Sequence, residues 1–334
     1  MKDDRITLAH GNGGRLMREL VDEVFAPNFA NPGLDTSADA ARLPAPGHDL
    51  AFTTDSFIVE PLEFPGGDLG SLAVHGTVND LAVSGATPKW ISLSFLIEEG
   101  FELERLNRIA MSSGRAARAC GVSIVAGDTK VVPRGQGGGL YLAASGIGVR
   151  DTEKMLGMSQ IRADDCLLVS GPVGDHGTAV LLARGEFGLR GDLYSDSASI
   201  WPFASAALAT PGLRFMRDPT RGGLATVANE ISRDTGLSVW LDEALLPMRE
   251  EVRGVCEMLG YDPLYLACEG RVVAVVAPSS AKALLASWRA LPCGERAAVI
   301  GRIAVGRACV VLRTTLGGER LLDELEDDPL PRIC

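Results

Sequence analysis

Between residues 49 and 149 the chain switches repeatedly between a two-residue hydrophobic period and helical spacing, and this switching constrains the fold more than any other feature. DLAFTTDSF reads as a buried strand leading to Asp55. GDLGSLAVHGTVNDLAVSGA then places Leu69, Leu72, Ala73, Val78 and Leu81 at helical spacing, with Asp68 as N-cap and Gly85 as the stop before Pro88. KWISLSFLIEE alternates as a strand, and ELERLNRIAMSSGRAARACG is an amphipathic helix ending at Gly121. VSIVAGDTKVV and GGLYLAASGIGV supply two more strands, joined by the glycine-rich PRGQGGG.

A polar, breaker-rich segment, DTEKMLGMSQIRADD, marks a domain boundary near residue 155. Beyond it helices are expected over 178–184, 222–235, 250–259 and 280–291, with strands at LSVWL, RVVAVVAP and ACVVLR. Strands and helices do not alternate strictly enough for a doubly wound sheet. The fold class is therefore α+β in two domains, 1–155 and 156–320, as expected for 334 residues. From Leu321 the pattern dissolves into an acidic tail, 321–334, that closes on DPLPRIC.

A net charge of −11 argues against nucleic acid and against an anionic membrane surface. No stretch approaches the ~18 apolar residues of a membrane helix, and MKDDRITLAH lacks the apolar core of a signal peptide. The seven cysteines form no CxxC pair and are odd in number, which fits a reducing cytoplasm rather than a disulfide framework or a zinc site. Most sit in apolar surroundings and read as core residues. Cys334, the last residue of the sequence, does not.

Several polar residues are placed oddly for a mere scaffold. Asp55 ends an apolar strand, and Asp80 lies beside Asn79 inside an apolar helix, with His75 one turn earlier on the face of Asn79. Asp128 and Lys130 interrupt two apolar runs in VAGDTKVV, and Asp39 stands in SADAARL. Buried carboxylates must be paired or bind metal, and aspartates gathered at strand ends and one helix suit Mg²⁺, which bridges readily to phosphates. Each aspartate taken singly reads better as a cap or turn residue; the set, with a lysine among it, is the stronger signal.

The chain has five lysines against 27 arginines, so Lys130 reads as a point charge for phosphate; the alternative is a partner for Asp128 alone. AHGNGGRLMREL sets Gly13 and Gly14 ahead of a helical pattern, a loop that lets backbone N–H groups approach phosphate. In MRDPTRGGLATVANEI a strand ends at Asp218, and Thr220, Arg221 and Gly222 open a helix; Arg221 can hold an anion, unless the segment is simply a helix start capped by Thr220. Glu269, in LYLACEGRVV, is either a general base raised by burial or a salt-bridge partner of Arg271.

HGNGG, TDSF, VNDLAVSGATP, GDTKVV, RDPTRGG and CEG together resemble the ATP-binding superfamily of aminoimidazole ribonucleotide synthetase, selenophosphate synthetase and thiamine-monophosphate kinase. The terminal PRIC makes the chain similar, within it, to the carbamoyl dehydratases that mature nickel–iron hydrogenases. Selenophosphate synthetases carry a reactive cysteine or selenocysteine in the N-terminal glycine loop, where this chain has none. Cys268 stands before Glu269 where asparagine is expected.

The resemblance implies a PurM-like fold with a ferredoxin-like first half that dimerises through its sheet, and ATP held between the domains. It implies Mg²⁺ and phosphate on Asp39, Asp55, Asn79, Asp80 and Asp128, with Asp218, Thr220, Arg221 and Gly222 completing the nucleotide site and Lys130 and Glu269 flanking the reacting group. The tail becomes a carrier: a carbamoyltransferase loads the Cys334 sulfur, ATP-driven dehydration turns the thiocarboxamide into a thiocyanate, and an iron-carrying maturation scaffold takes the cyano group. The alternatives are a small-molecule kinase or synthetase of the same fold with an idle tail, and a nucleotide-regulated scaffold.

Overall fold

The computed structural model describes residues 5–7, 10, 19–32, 34, 49–151, 155–185 and 188–324. After a short helix α1 (Ala26–Phe29), the first domain runs β1 (Asp49–Phe57), β2 (Glu63–Phe64), β3 (Gly67–Asp68), α2 (Leu69–Val83), β4 (Ala86–Glu98), α3 (Leu103–Cys120), β5 (Ser123–Val132) and β6 (Leu140–Arg150). Its main sheet has the order β1-β6-β4-β5, with only β4 and β5 parallel. Two helices on one sheet face give the layering of a ferredoxin-like half, in the chain order β-α-β-α-β-β around the small β2–β3 hairpin.

The alternation read from the sequence is the alternation of the sheet. Leu93, Phe95, Leu142 and Ala144 are buried beneath the helices, whereas Phe52 and Leu96 are exposed on the opposite face. Among the described residues, no helix covers that second face.

α2 explains why its sequence is apolar nearly all round. Its Leu72 and Val78 belong to the large core, while Ala82 and Val83 pack into a second cluster with Phe203, Met216 and Trp288 of the other domain. The helix is thus shared by both halves. Asp68 caps it: its carboxylate accepts the Ser71 N–H at 2.8 Å, and the Ser71 hydroxyl accepts the Asp68 N–H at 3.0 Å.

The second domain contains β7 (Cys166–Val169), α4 (Asp175–Arg184), α5 (Trp201–Leu208), β8 (Leu213–Arg217), α6 (Gly223–Thr235), β9 (Ser238–Asp242), α7 (Glu250–Leu259), β10 (Val273–Val276), α8 (Pro278–Arg289), β11 (Ala298–Ala304), β12 (Val310–Arg313) and β13 (Glu319–Leu321). One sheet holds all its strands in the order β13-β12-β9-β11-β7-β10-β8. The connector is docked early in this domain, since Gly157 N–H donates to Arg214 O at 3.0 Å.

The chain stays ordered past Leu321, contrary to the tail expected from the sequence. β13 pairs with β12, Leu322 is buried, and Leu322 N–H donates to Val310 O at 3.0 Å. Tyr265 Oη donates to Asp323 O at 2.7 Å, and Glu324, one of the acids of the expected tail, pairs with Arg233 at 2.6 Å. Residues 325–334, including Cys334, lie outside the described residues, as do Gly13, Gly14 and Asp39.

Candidate active site

β1, α2, the end of β8 and the turn before β10 meet at a cavity of about 220 Å³ lined by Asp55, Asp80, Asp218, Thr220, Arg221 and Glu269 among others. Asp55 projects from the helix-facing side of β1. Thr53, two residues earlier on that side, donates its hydroxyl to Asp80 Oδ2 at 2.7 Å and so fixes the helix carboxylate over the strand.

Four carboxylates and one guanidinium line this space. Burial pushes the Asp55 carboxyl up to about 7, with the Asp80 charge adding to it and Arg221 opposing it. Burial likewise pushes Asp218 up to about 7, helped by Asp80 and Asp55. Glu269 is raised well above the ordinary carboxylate range, first by burial and then by the charges of Asp218 and Asp196. Carboxylates that oppose one another's ionisation in this way form a site complete only when positive charge enters it. Among the described residues, no three acidic, histidine or cysteine side chains are disposed to hold an ion by themselves. Carboxylate oxygens are donors of the kind a hard cation takes.

Asp80 also lines a neighbouring cleft of about 500 Å³ with Phe52, Leu81, Arg150, Phe215 and Met216 between the two domains. One carboxylate thus stands between an acidic chamber and a roomier, partly aromatic one.

The start of α6 does not follow the alternative of a helix capped by Thr220. Gly222 is the N-cap at φ +71° and no side chain caps the helix, which leaves Thr220 to the cavity wall. Gly223 has φ +60°, and a Cβ there would lie 2.5 Å from Leu264 O. Gly223 is demanded by that close approach and Gly222 by its positive φ, and Arg221 is set into the cavity just before them. Arg271, the other partner offered for Glu269, pairs instead with Asp196 at 3.3 Å and Asp175 at 3.5 Å.

Other expected residues fall elsewhere. Asn79 is committed to backbone: its amide nitrogen donates to Ala198 O and Glu269 O, both at 3.0 Å, and its oxygen accepts the Ile200 N–H at 2.9 Å. It is a joint between domains rather than a phosphate ligand. His75 lies 3.1 Å from the Ser197 hydroxyl, with its pKa lowered to about 4 by burial. Asp128 and Lys130 form an exposed pair at 3.6 Å. They stand on β5 in register with Ser94 and Leu96, hence on the uncovered sheet face, opposite Asp55 and three strands from β1. Within one chain they do not reach the cavity. Cys268, in the place of the expected asparagine, is buried and accepts the Gly174 N–H at 3.2 Å.

The AIR synthase related protein N-terminal domain model matches residues 37–150 and the corresponding C-terminal domain model matches residues 162–312. The carbamoyl dehydratase HypE of Rhodobacter capsulatus is 48% identical over 338 residues, covering 100% of this chain and 99% of its own. The chain belongs to the HypE family of carbamoyl dehydratases. A crystal structure of the hydrogenase maturation protein HypE in complex with ATP superposes with a TM-score of 0.94 at 44% identity, covering 98% of this chain and 99% of that one. HypE in a HypE–HypF complex gives a TM-score of 0.80 at 40% identity, with 92% and 99% covered. The two AIR synthase related halves correspond to the two sheets described above, and the acidic cavity lies where they meet.

Proposed function

We propose that this member of the HypE family dehydrates a carbamoyl group carried on Cys334, using ATP, and so makes the cyanide ligands of the hydrogenase iron. The observation that carries the reading is the acidic cavity between the domains, where buried Glu269 lies beside Arg221, Asp55, Asp80 and Asp218, in a chain matched end to end by carbamoyl dehydratases.

The larger cleft takes the nucleoside, and Asp80 marks where the phosphates turn into the smaller cavity. Asp55 and Asp80 would hold Mg²⁺ together with the phosphates, and Asp39 belongs to the same proposal. The ion supplies neutralisation of phosphate charge when bound. Arg221 and the N-terminal end of α6 meet the phosphates from the other domain.

The reaction transfers the γ-phosphoryl group of ATP to the oxygen of the Cys334 thiocarboxamide, giving ADP. An amide oxygen is a poor leaving group; phosphate is a good one. Glu269 takes protons from the nitrogen, the C–O bond breaks to release phosphate, and S–C≡N remains on Cys334. Burial suits Glu269 to this step, because its raised proton affinity makes it a stronger base once ionised, the form that Arg221 and a bound Mg²⁺ would favour.

Reach is adequate. The last described residue, Glu324, pairs with Arg233, ten residues along α6 from Gly223, which is ~15 Å of helix. The ten residues from 325 to 334 span up to ~33–36 Å when extended.

A carbamoyltransferase such as HypF loads the sulfur, and an iron-carrying scaffold receives the cyano group. A second copy stacks on the open sheet face, where Leu96 lies in register beside Lys130. Lys130 acts on the nucleotide only through that stacking, and the protein works in the cytoplasm.

Mass spectrometry of the terminal peptide after incubation with carbamoyl phosphate, ATP and the carbamoyltransferase tests the reading. A cyano group in place of one hydrogen on Cys334 is expected, and Cys334→Ala abolishes it while ATP still binds. ATP turnover without modification of Cys334 overturns the dehydratase reading in favour of a small-molecule kinase.

A further inference from the structure

Glu269 sits in a turn, not in a strand or helix, so something outside its own element must hold its carboxylate in place. The segment from Ser195 to Ala198 crosses between the domains beside it. Ser195 N–H donates to Pro65 O at 2.8 Å, and the Ser195 hydroxyl lies 2.8 Å from His176. Ser197 meets His75 of α2 at 3.1 Å, and Ala198 O accepts from Asn79 at 3.0 Å. This strap is stitched to both halves of the molecule.

Asp196 is its centre. Its side chain is fully buried and pairs with the Arg271 guanidinium at 3.3 Å. One of its oxygens accepts the Glu269 N–H at 3.1 Å and the other accepts the Gly270 N–H at 3.3 Å. The approach is so close that a Cβ on Gly270 would fall 1.8 Å from Asp196 O. From the opposite side, Asn79 donates to Glu269 O at 3.0 Å. Asp196 thereby grips both peptide groups of the glutamate, and Asn79 of the other domain adds a second hold on the 269–270 peptide. Arg271 is held in turn by Asp175, which also pairs with the half-exposed Arg249 at 2.9 Å.

We infer that Asp196 is a positioning residue for Glu269, fixing the backbone of the glutamate so that its carboxylate meets the reacting nitrogen, with Asn79 completing the grip. Taking Glu269 as the base, on which this inference rests, a turn loosened by about 1 Å costs ~10²-fold in the step it serves. A buried carboxylate accepting two backbone N–H groups is strongly directional, and an amide in its place can accept only one of them and turns an N–H toward the other.

A double-mutant cycle with Asp196→Asn and Glu269→Gln tests it, reading the carbamoyl and cyano forms of Cys334 by mass spectrometry, with ATP affinity and melting temperature measured alongside. Asp196→Asn is expected to slow conversion of the carbamoyl to the cyano form ~30–100-fold, leave ATP affinity within twofold, and have no further effect in the Glu269→Gln background. Equal loss in both backgrounds, or wild-type conversion by Asp196→Asn, overturns the inference. Normal conversion by Glu269→Gln alone instead overturns the reading of Glu269 as base. Should Asp196→Asn melt below the assay temperature, Asn79→Ser is read in its place: the same loss confined to dehydration supports the grip, and unchanged conversion refutes it.

Discussion

The chemistry of the cavity is set residue by residue by who neutralises whom. Asp55 and Asp218, both pushed up to about 7 from 3.8 by burial and by neighbouring carboxylates, hold protons in the folded protein that they would release on unfolding. The folded state then binds more protons than the unfolded chain between those values, so stability is greatest below pH 4 for these groups and is lost as pH rises to 7. In EDTA and without nucleotide, the contribution of Asp55 to the melting temperature therefore falls from pH 5 to pH 8. Asp55→Asn, which cannot ionise, should flatten that dependence; an unchanged slope would show that Asp55 ionises freely. Adding Mg²⁺ and ATP should flatten it in the unaltered protein too. Glu269 carries a second prediction at this scale. Glu269→Gln removes the base while keeping shape, so cyanation slows ~10²–10⁴-fold and the carbamoyl form of Cys334 accumulates, as read by mass spectrometry of the terminal peptide.

At the scale of elements, much of the first domain was legible and the joints were not. DLAFTTDSF is β1 from end to end, because a sheet with one buried face writes its period into the sequence. β7 and β10 are buried along nearly their whole length as CLLV and VAVV, and such runs carry no period. Helix α1, the short helix WPFASAAL (α5) and strands β2, β3, β7, β11 and β13 were missed, whereas the strand ending at Asp218 is β8. Asp128 and Lys130 were grouped with Asp55 because spacing gives the strand and not the face: the β4–β5 register shifts between Ile91 and Ser92, leaving Val125 extra. Asp196 had no signal at all, since a strap without regular structure shows its purpose only through the chain it touches. The glycines of TRGG, by contrast, were read correctly as opening a helix, but the sequence offered no reason for the pair. Their reason is room, and it gives a prediction. Gly223→Ala places a Cβ 2.5 Å from Leu264 O at φ +60°, which costs ~2 kcal/mol or more. The melting temperature should fall by several degrees, and ATP affinity should drop as the α6 start and Arg221 shift. A variant with wild-type melting would mean that the turn can relax freely.

For the molecule as a whole, the proposal makes one chain both catalyst and substrate, so tether length becomes a kinetic variable. Glu324 is held by an ion pair to Arg233 whose partners are both half exposed, so the pair itself adds little stability; Leu322 and the Asp323 carbonyl fix the path. Ten residues remain beyond that point. Inserting ten glycine and serine residues after Glu324 doubles the tether, and effective concentration falls with roughly the −3/2 power of length, so cyanation should slow only ~3-fold. Removing six residues instead leaves four, with a reach of ~13–14 Å, shorter than the ~15 Å of helix between the anchor and the site end of α6. Cyanation should then stop while ATP affinity and melting temperature hold. The two variants must behave asymmetrically, and single-turnover conversion of a preloaded carbamoyl form measures both without involving the carbamoyltransferase. Equal loss in the lengthened and shortened chains would mean that the tail is recognised as a fixed sequence at a fixed place rather than delivered by its length. Retention of activity in the shortened chain would require Cys334 to be served by the cavity of another copy, which dilution of that variant would expose as a rate falling with protein concentration.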